Sequence, residues 1–492
     1  MHTNQPIIVL ILSCLLVPTP ISAAAIEPLV HVVDLNVGET HEITLHNGYK
    51  ATVTLIELNE KHDSVRNAVR MAQVKVKVNG QTVSLISSTY HLPTAIEGVQ
   101  IDCPVTKGYI QNSSKANAWG LDKDARLRLW PAGSPWIRPG TFIYPVKQKW
   151  FASDTQMANV PCYVNACDIP GQKSIYYHYG LDFGGSEGLV VVIAATDGLV
   201  VSSGDHILEG YEETPVRPRY DVVYILDNRG WYYRYSHLQM IATPVTPGKR
   251  VKIGQRIGLI GKEGGSGGWS HLHFGIKCRQ PSGKWGTQNG YAFIWQAYLQ
   301  QYNPEIIAVA RPHNLAYTNE KVKLDASKSW CKTGHIANYE WTFGDGSTTK
   351  GPAVERVFEK AGQYSEIVKV TDSAGNVAYD FAVVYVIDCE HTKRVPPAIH
   401  ANYYPTFDLK AGDGVTFKVR SFATQYGEEV WDFGDGSAPV TVQSDGNADQ
   451  HNPEGYAITR HRYSKAGDYI VTVRRSNEYG YEAVGHLHVH ID

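Results

Sequence analysis

Period-two alternation of apolar and polar residues runs through most of the chain. It is plain in Glu42–Leu45, Ala51–Leu55 and Val74–Val78, again in Asp221–Trp231, and late in Ile367–Val370 and Ile470–Val473. Such alternation predicts half-buried antiparallel strands, with one face on a core and one in water. Asn79-Gly80, between two of these runs, predicts a tight hairpin. The tail repeats itself. Trp341-Thr342-Phe343-Gly344-Asp345-Gly346-Ser347 returns as Trp431-Asp432-Phe433-Gly434-Asp435-Gly436-Ser437, and Val357–Tyr364 is matched by Arg462–Tyr469. Short strands punctuated by Gly-Asp-Gly turns predict two small sandwiches. The aspartates are read as turn formers rather than calcium ligands. The expected fold class is mainly β and multidomain.

One run breaks the alternation. Ile7–Val17 is almost wholly apolar, is followed by Pro18 and Pro20, and leads to the small residues Ser22–Ala25. This predicts a signal peptide over 1–25 and an exported protein, periplasmic or extracellular. No later stretch is long and apolar enough for a transmembrane helix. The remaining chain divides into an N-terminal β domain with its connecting segment over 29–138, a block over 139–302, and the repeats over 304–390 and 396–492. About 104–138 reads as a wrapped connection, and Lys393–Pro397 as the linker between the repeats.

Composition narrows the function. The 492 residues carry 46 Lys plus Arg against 48 Asp plus Glu, a formal charge of −2, which argues against a nucleic-acid binder with a broad basic surface. With 43% hydrophobic and 19% charged residues, the chain can bury sizeable cores. Beyond Cys14 six cysteines remain: Cys103, Cys162, Cys167, Cys278, Cys331 and Cys389. An even number in an exported chain predicts disulfides, with Cys331 and Cys389 the expected pair because both fall in one repeat. The other four allow three pairings. Asn112-Ser113-Ser114 matches a glycosylation sequon, which matters only in a host that glycosylates.

Candidate chemistry concentrates in the 139–302 block. His178 and Asp182 stand four apart in a glycine-rich context, Tyr235-Ser236-His237-Leu238 ends an alternating run, and His271-Leu272-His273-Phe274 follows a Gly264–Gly268 loop expected to be flexible. On a strand, residues two apart share a face, so His271 and His273 point the same way. Two histidines and a carboxylate around one ion with an open position make a hydrolytic zinc site, and further imidazoles can serve as acid, base or oxyanion donor.

These motifs, together with Thr196–Val200 and the run from Val245 to Gly258, resemble the lysostaphin/LytM-type zinc metallopeptidases over nearly the whole block. The resemblance implies one zinc ion on His178, Asp182 and His273, with catalytic imidazoles at His237 and His271. All five positions are retained, whereas Ser270 stands where the family usually has proline and Gly275 where an acidic residue is common. It implies an antiparallel-β metalloendopeptidase domain. The leading substrate is peptidoglycan, and glycine-rich extracellular protein such as elastin is the alternative. A non-catalytic cell-wall adaptor or activator is the rival from another class. The two tail units resemble PKD domains, immunoglobulin-like modules that would bind cell wall, polysaccharide or matrix protein. On that reading truncation after about residue 302 would reduce retention while hydrolysis of a small peptide persists. No nucleic-acid partner is expected.

Three further features are weighed against this site. His486-Leu487-His488-Val489-His490 alternates on the last strand and is expected to form a solvent-exposed face. His41-Glu42 followed by His46 is one residue too long for a helical zinc motif and reads as strand. Trp231, Tyr232, Tyr233 and Trp269 neighbour the motif residues, as core or as walls of a substrate groove.

Overall fold

The computed structural model describes residues 24–111, 113, 117–153, 162–163 (backbone only) and 175–492. The segment expected as a signal peptide lies almost wholly outside these residues, as do Asn112, Ser114, Cys167 and the Cys162 side chain. The described chain is mainly β, with only a one-turn helix at Gly108–Gln111 and a longer one at Tyr291–Tyr302. No described helix is long and apolar enough to cross a membrane.

Two four-stranded sheets make the N-terminal unit. One orders Thr40–Thr44, Lys50–His62, Val69–Val78 and Gln81–Ser87 as a meander. The Asn79-Gly80 turn has φ of 47° and 93°, the left-handed geometry a two-residue hairpin requires. The second sheet orders His31–Leu35, Ala125–Pro131, Val99–Thr106 and Thr94–Ile96. Ala125–Pro131 thus lies inside the sheet rather than in a wrapped connection. Its residues are all buried, so it lacks the alternation that marks the other strands. His41 and Glu42 stand exposed on the strand Thr40–Thr44, as their spacing predicts.

The central unit holds an eight-stranded sheet. Its main path runs Leu181–Gly184, His271–Arg279, Tyr232–Ser236, Val223–Leu226, Gly198–Ser203 and His206–Ile207. A three-stranded sheet of Val191–Ile193, Arg256–Ile260 and Leu238–Ile241 packs beside it, and the helix Tyr291–Tyr302 adds Phe293, Ile294, Trp295 and Tyr298 to one aromatic-rich core. Arg128 ties this unit to the N-terminal one, pairing with Asp102 while donating to the carbonyl of Asn289 at 2.6 Å.

The two repeats are sandwiches built around fully buried Trp341 and Trp431. In each Gly-Asp-Gly turn the aspartate Oδ1 accepts from the serine N–H two residues on, at 2.9 Å for Asp345 and 3.0 Å for Asp435. The sandwiches are not beads on a linker. Gly362 and Gln363 pair in parallel with Glu482 and Ala483, so one sheet runs through both. A Cβ at Gly362 would stand 2.5 Å from the Glu482 carbonyl oxygen, which is why glycine occupies the junction.

That junction corrects the expectation for the last strand. His486 and His488 are buried against Phe381 and Tyr379 of the first repeat, and only His490 is exposed. Alternation reveals that the three share a face, not that a neighbouring domain covers it.

The expected Cys331–Cys389 disulfide is absent, and Cys103, Cys278, Cys331 and Cys389 are all free thiols. Cys331 pairs with Ile306 shortly before Ile336, which lies opposite Asp372 at one end of the sheet. Cys389 follows Ile387, which pairs with Tyr317 at the other end. A strand of ten or so residues separates these ends, roughly 30 Å against the 7 Å a disulfide tolerates.

Candidate metal centre

Strand register brings the site together. In the antiparallel pair Leu181–Gly184 and His271–Arg279, Asp182 lies opposite His273 and Gly184 opposite His271. Directly opposed residues share a face, so the Asp182 carboxylate meets the same face that carries both imidazoles. On the other flank Ser236 pairs with His273, which delivers His237 to the same end of the sheet. His178 enters from the loop before Leu181. A Cβ at Gly180 would stand 2.6 Å from Cε1 of His273 and 2.9 Å from the Phe274 carbonyl oxygen, so glycine lets this loop come close.

Three ligand atoms converge. His178 Nε2 is 2.8 Å from His273 Nδ1, and Asp182 Oδ1 is 3.0 Å from the first and 2.9 Å from the second. Hydrogen bonds can account for the two contacts to the carboxylate, but they then bring two N–H groups face to face. A cation about 2 Å from each atom accounts for all three contacts. Among the described residues this is the one such cluster of three or more His, Cys, Asp or Glu.

Protonation states fit the same conclusion. Burial pushes the His273 imidazole well below its ordinary range, against the pull of Asp182. Burial works to raise the Asp182 carboxyl, but His178, His271 and the hydrogen bonds from His178 and His273 outweigh it and hold it well below the usual carboxylate range. A neutral imidazole and an ionised carboxylate are the forms that ligate metal.

His237 and His271 sit beside the cluster without joining it, their ring centroids 4.6 Å apart. Both are held by the same device. His237 Nδ1–H donates to the Glu263 carbonyl at 2.6 Å, and His271 Nδ1–H to the Trp269 carbonyl at 3.0 Å. Each bond fixes the tautomer and leaves Nε2 as the lone pair. His271 Nε2 is 3.7 Å from Asp182 Oδ2. His237 also has φ of 67°, a left-handed backbone uncommon in residues other than glycine. It is held there by Asp221, whose Oδ2 accepts the His237 N–H at 2.8 Å, while Arg219 pairs with the same carboxylate.

Asp221, Arg219 and the Glu263 carbonyl were not singled out by the sequence. Asp221 opens the alternating run that leads to His237, yet its spacing of sixteen residues matches no motif, and a backbone carbonyl leaves no sequence signal. Of the four aromatics near the motifs, Trp231, Tyr232 and Tyr233 are core: Trp231 stacks on Phe293, and Tyr232 meets Trp285 edge-on. Only Trp269 reaches the site.

Comparison with known proteins agrees with this geometry. Residues 176–284, which contain all five of these histidine and aspartate positions, match the model of Peptidase family M23. The chain carries a Peptidase family M23 domain. Two PKD domains follow it, matched over 303–386 and 401–486. Among curated relatives, Collagenase ColA of Clostridium perfringens (strain 13 / Type A) is 28% identical over 86 residues, 18% of this chain and 8% of that protein. A microbial collagenase of Vibrio alginolyticus is 27% identical over 113 residues, 21% of this chain and 14% of that protein. The match therefore spans under a sixth of either collagenase. Among solved structures, Csd3 of Helicobacter pylori aligns over 54% of this chain and 81% of that one, at 15% identity and a TM-score of 0.21. The M23 domain thus holds one candidate His-Asp-His metal cluster flanked by two further imidazoles.

Proposed function

We propose that this protein is an exported zinc metalloendopeptidase whose M23 domain hydrolyses peptide bonds in peptidoglycan. The observation that carries the reading is the mutual 2.8–3.0 Å approach of His178 Nε2, Asp182 Oδ1 and His273 Nδ1. These three residues would hold the ion. When bound, zinc supplies a Lewis acid that polarises a scissile carbonyl and lowers the pKa of a water.

The rest is done by this chain's own groups. His237 and His271, each with Nδ1–H tied to a carbonyl, present Nε2 as proton acceptor. One takes the proton of the attacking water at Nε2 and passes it to the leaving amine, and the other, protonated at Nε2 from solvent, donates to the oxyanion. Asp221 holds His237 in its strained backbone and stabilises it when it becomes charged.

The M23 match favours peptidoglycan stem peptides or crosslinks as substrate. A second reading, cleavage of glycine-rich extracellular protein such as elastin, draws on the segmental similarity to two collagenases. Purified, zinc-loaded protein is incubated with isolated peptidoglycan and with elastin, and the products are identified by mass spectrometry. New peptide termini in peptidoglycan support the first reading. Cleavage of elastin alone moves the assignment to matrix protein, and cleavage of neither, in protein with stoichiometric zinc, rejects both in favour of a non-catalytic cell-wall adaptor.

A further inference from the structure

The second PKD domain touches the metal-site wall at every step of one short segment. Asn447 Nδ2 donates to the Gly267 carbonyl at 3.2 Å, and Arg420 Nη1 to the Gly268 carbonyl at 2.5 Å. Ser270 N–H donates to the Tyr456 hydroxyl at 2.7 Å, and that hydroxyl shares a hydrogen bond with His400 Nδ1 at 2.8 Å. His400 in turn meets the Trp269 ring edge-on, with centroids 5.1 Å apart. Trp269 lies on His271, centroids 3.7 Å apart and planes 15° apart, and its carbonyl receives the His271 Nδ1–H. Tyr456, His400 and Arg420 are all buried here, and Arg420 is locked by a bidentate pair with Asp445 at 2.8 and 2.6 Å.

Gly264–Gly268 would by composition wander. Its three-dimensional setting is the opposite of free: two of its carbonyls and the N–H of Ser270 are satisfied by another domain. A proline at 270 would have no N–H to give, and serine supplies it. The M23 domain holds the segment through Gly268 N–H to Ser266 Oγ at 3.1 Å and Gly185 N–H to the Ser270 carbonyl at 3.2 Å, and the second PKD domain adds its own hold from residues about 130 to 185 positions beyond His271.

We propose that the second PKD domain is a structural part of the catalytic site, with Tyr456 and Arg420 as positioning residues that fix Gly267–Ser270 and, through Trp269, orient the His271 imidazole. The proposal deepens the peptidase reading and rests on it for its kinetic readout. It also replaces the expectation that the PKD pair can be removed without cost to hydrolysis.

The test uses the full zinc-loaded chain and two variants that delete single contacts: Tyr456→Phe removes the hydroxyl, and Asn447→Gly removes the amide while keeping the left-handed turn that Asn447 occupies at φ 60°. Tyr479→Phe, on an exposed side chain of the same domain, is the control. Hydrogen exchange measured by mass spectrometry is expected to speed up across Gly264–Ser270 in both variants and not in the control. With isolated peptidoglycan, Tyr456→Phe should lower kcat about tenfold with KM and zinc content unchanged, because an imidazole misaligned by a fraction of an ångström loses rate before it loses binding. Unchanged exchange and unchanged kcat in Tyr456→Phe would overturn the proposal, as would a rise in KM alone. If the wild-type protein leaves peptidoglycan intact, the peptidase reading fails, and exchange at Gly264–Ser270 still decides whether the PKD domain orders this wall.

Discussion

Asp182 stands directly across the strand ladder from His273, its Oδ1 2.9 Å from Nδ1. A carboxylate placed by register, rather than by a mobile loop, is preorganised to ligate. Replacing it should therefore abolish the metal site without dismantling the sheet. Asp182→Ala is expected to purify with little or no zinc by atomic emission, to be inactive, and to keep its far-UV circular dichroism. Chelation of the wild-type protein should produce the same loss of activity, reversible by zinc, and a lower melting temperature, since an ion that binds only the folded state stabilises it.

His237 predicts the opposite pairing of effects. It lies beside the cluster, not in it, so His237→Ala should retain stoichiometric zinc while hydrolysis falls by about 10²- to 10⁴-fold. Asp221→Asn keeps the size but weakens the hold on the His237 N–H and its charge. A smaller loss of about ten- to a hundredfold in kcat is expected. Equal loss of zinc in His237→Ala would mean that it is a ligand.

Gly180 is tested by adding one methyl group. Gly180→Ala would drive a carbon to within 2.6 Å of the His273 ring. The protein should fold but bind zinc more weakly, by about ten- to a hundredfold in a competition titration with a chromophoric chelator. Wild-type affinity in this variant would show that the loop can retreat without moving His273.

Glu366, far from the site in the first PKD domain, predicts a pH dependence of stability. Burial pushes its carboxyl up to about 7, opposed by the hydrogen bond from the Gly344 N–H. A raised carboxyl favours the neutral form in the folded state. The stabilisation is full below the ordinary carboxylate value, fades as pH rises towards 7, and is gone above it. Glu366→Gln should melt at nearly the wild-type temperature near pH 4.5 and higher than wild type at pH 8, by at most about 3 kcal/mol of that domain's stability. Calorimetry at the two pH values reads the difference.

The sequence made the site legible because strand chemistry is local. His271 and His273 two apart on one strand, with Asp182 in the short strand Leu181–Gly184 and His178 just before it, need only one antiparallel pairing to converge. What stayed hidden depends on which surfaces meet. The alternation of His486, His488 and His490 identifies a face but not the Phe381 and Tyr379 side chains that cover two of the three. Cys331 and Cys389 belong to one repeat yet lie at opposite ends of its sheet. The reach of Tyr456 to Ser270 crosses 186 residues and ends on a backbone N–H, which every residue but proline offers. Nothing in composition distinguishes such a partner.

The shared sheet between the PKD domains sets a mechanical limit. With Gly362 and Gln363 laced to Glu482 and Ala483, and the second sandwich also bolted to the M23 domain, the tail behaves as a bracket and not as a tether. The first sandwich, laced to the second, is therefore held at a set distance and angle from the His178, Asp182 and His273 cluster.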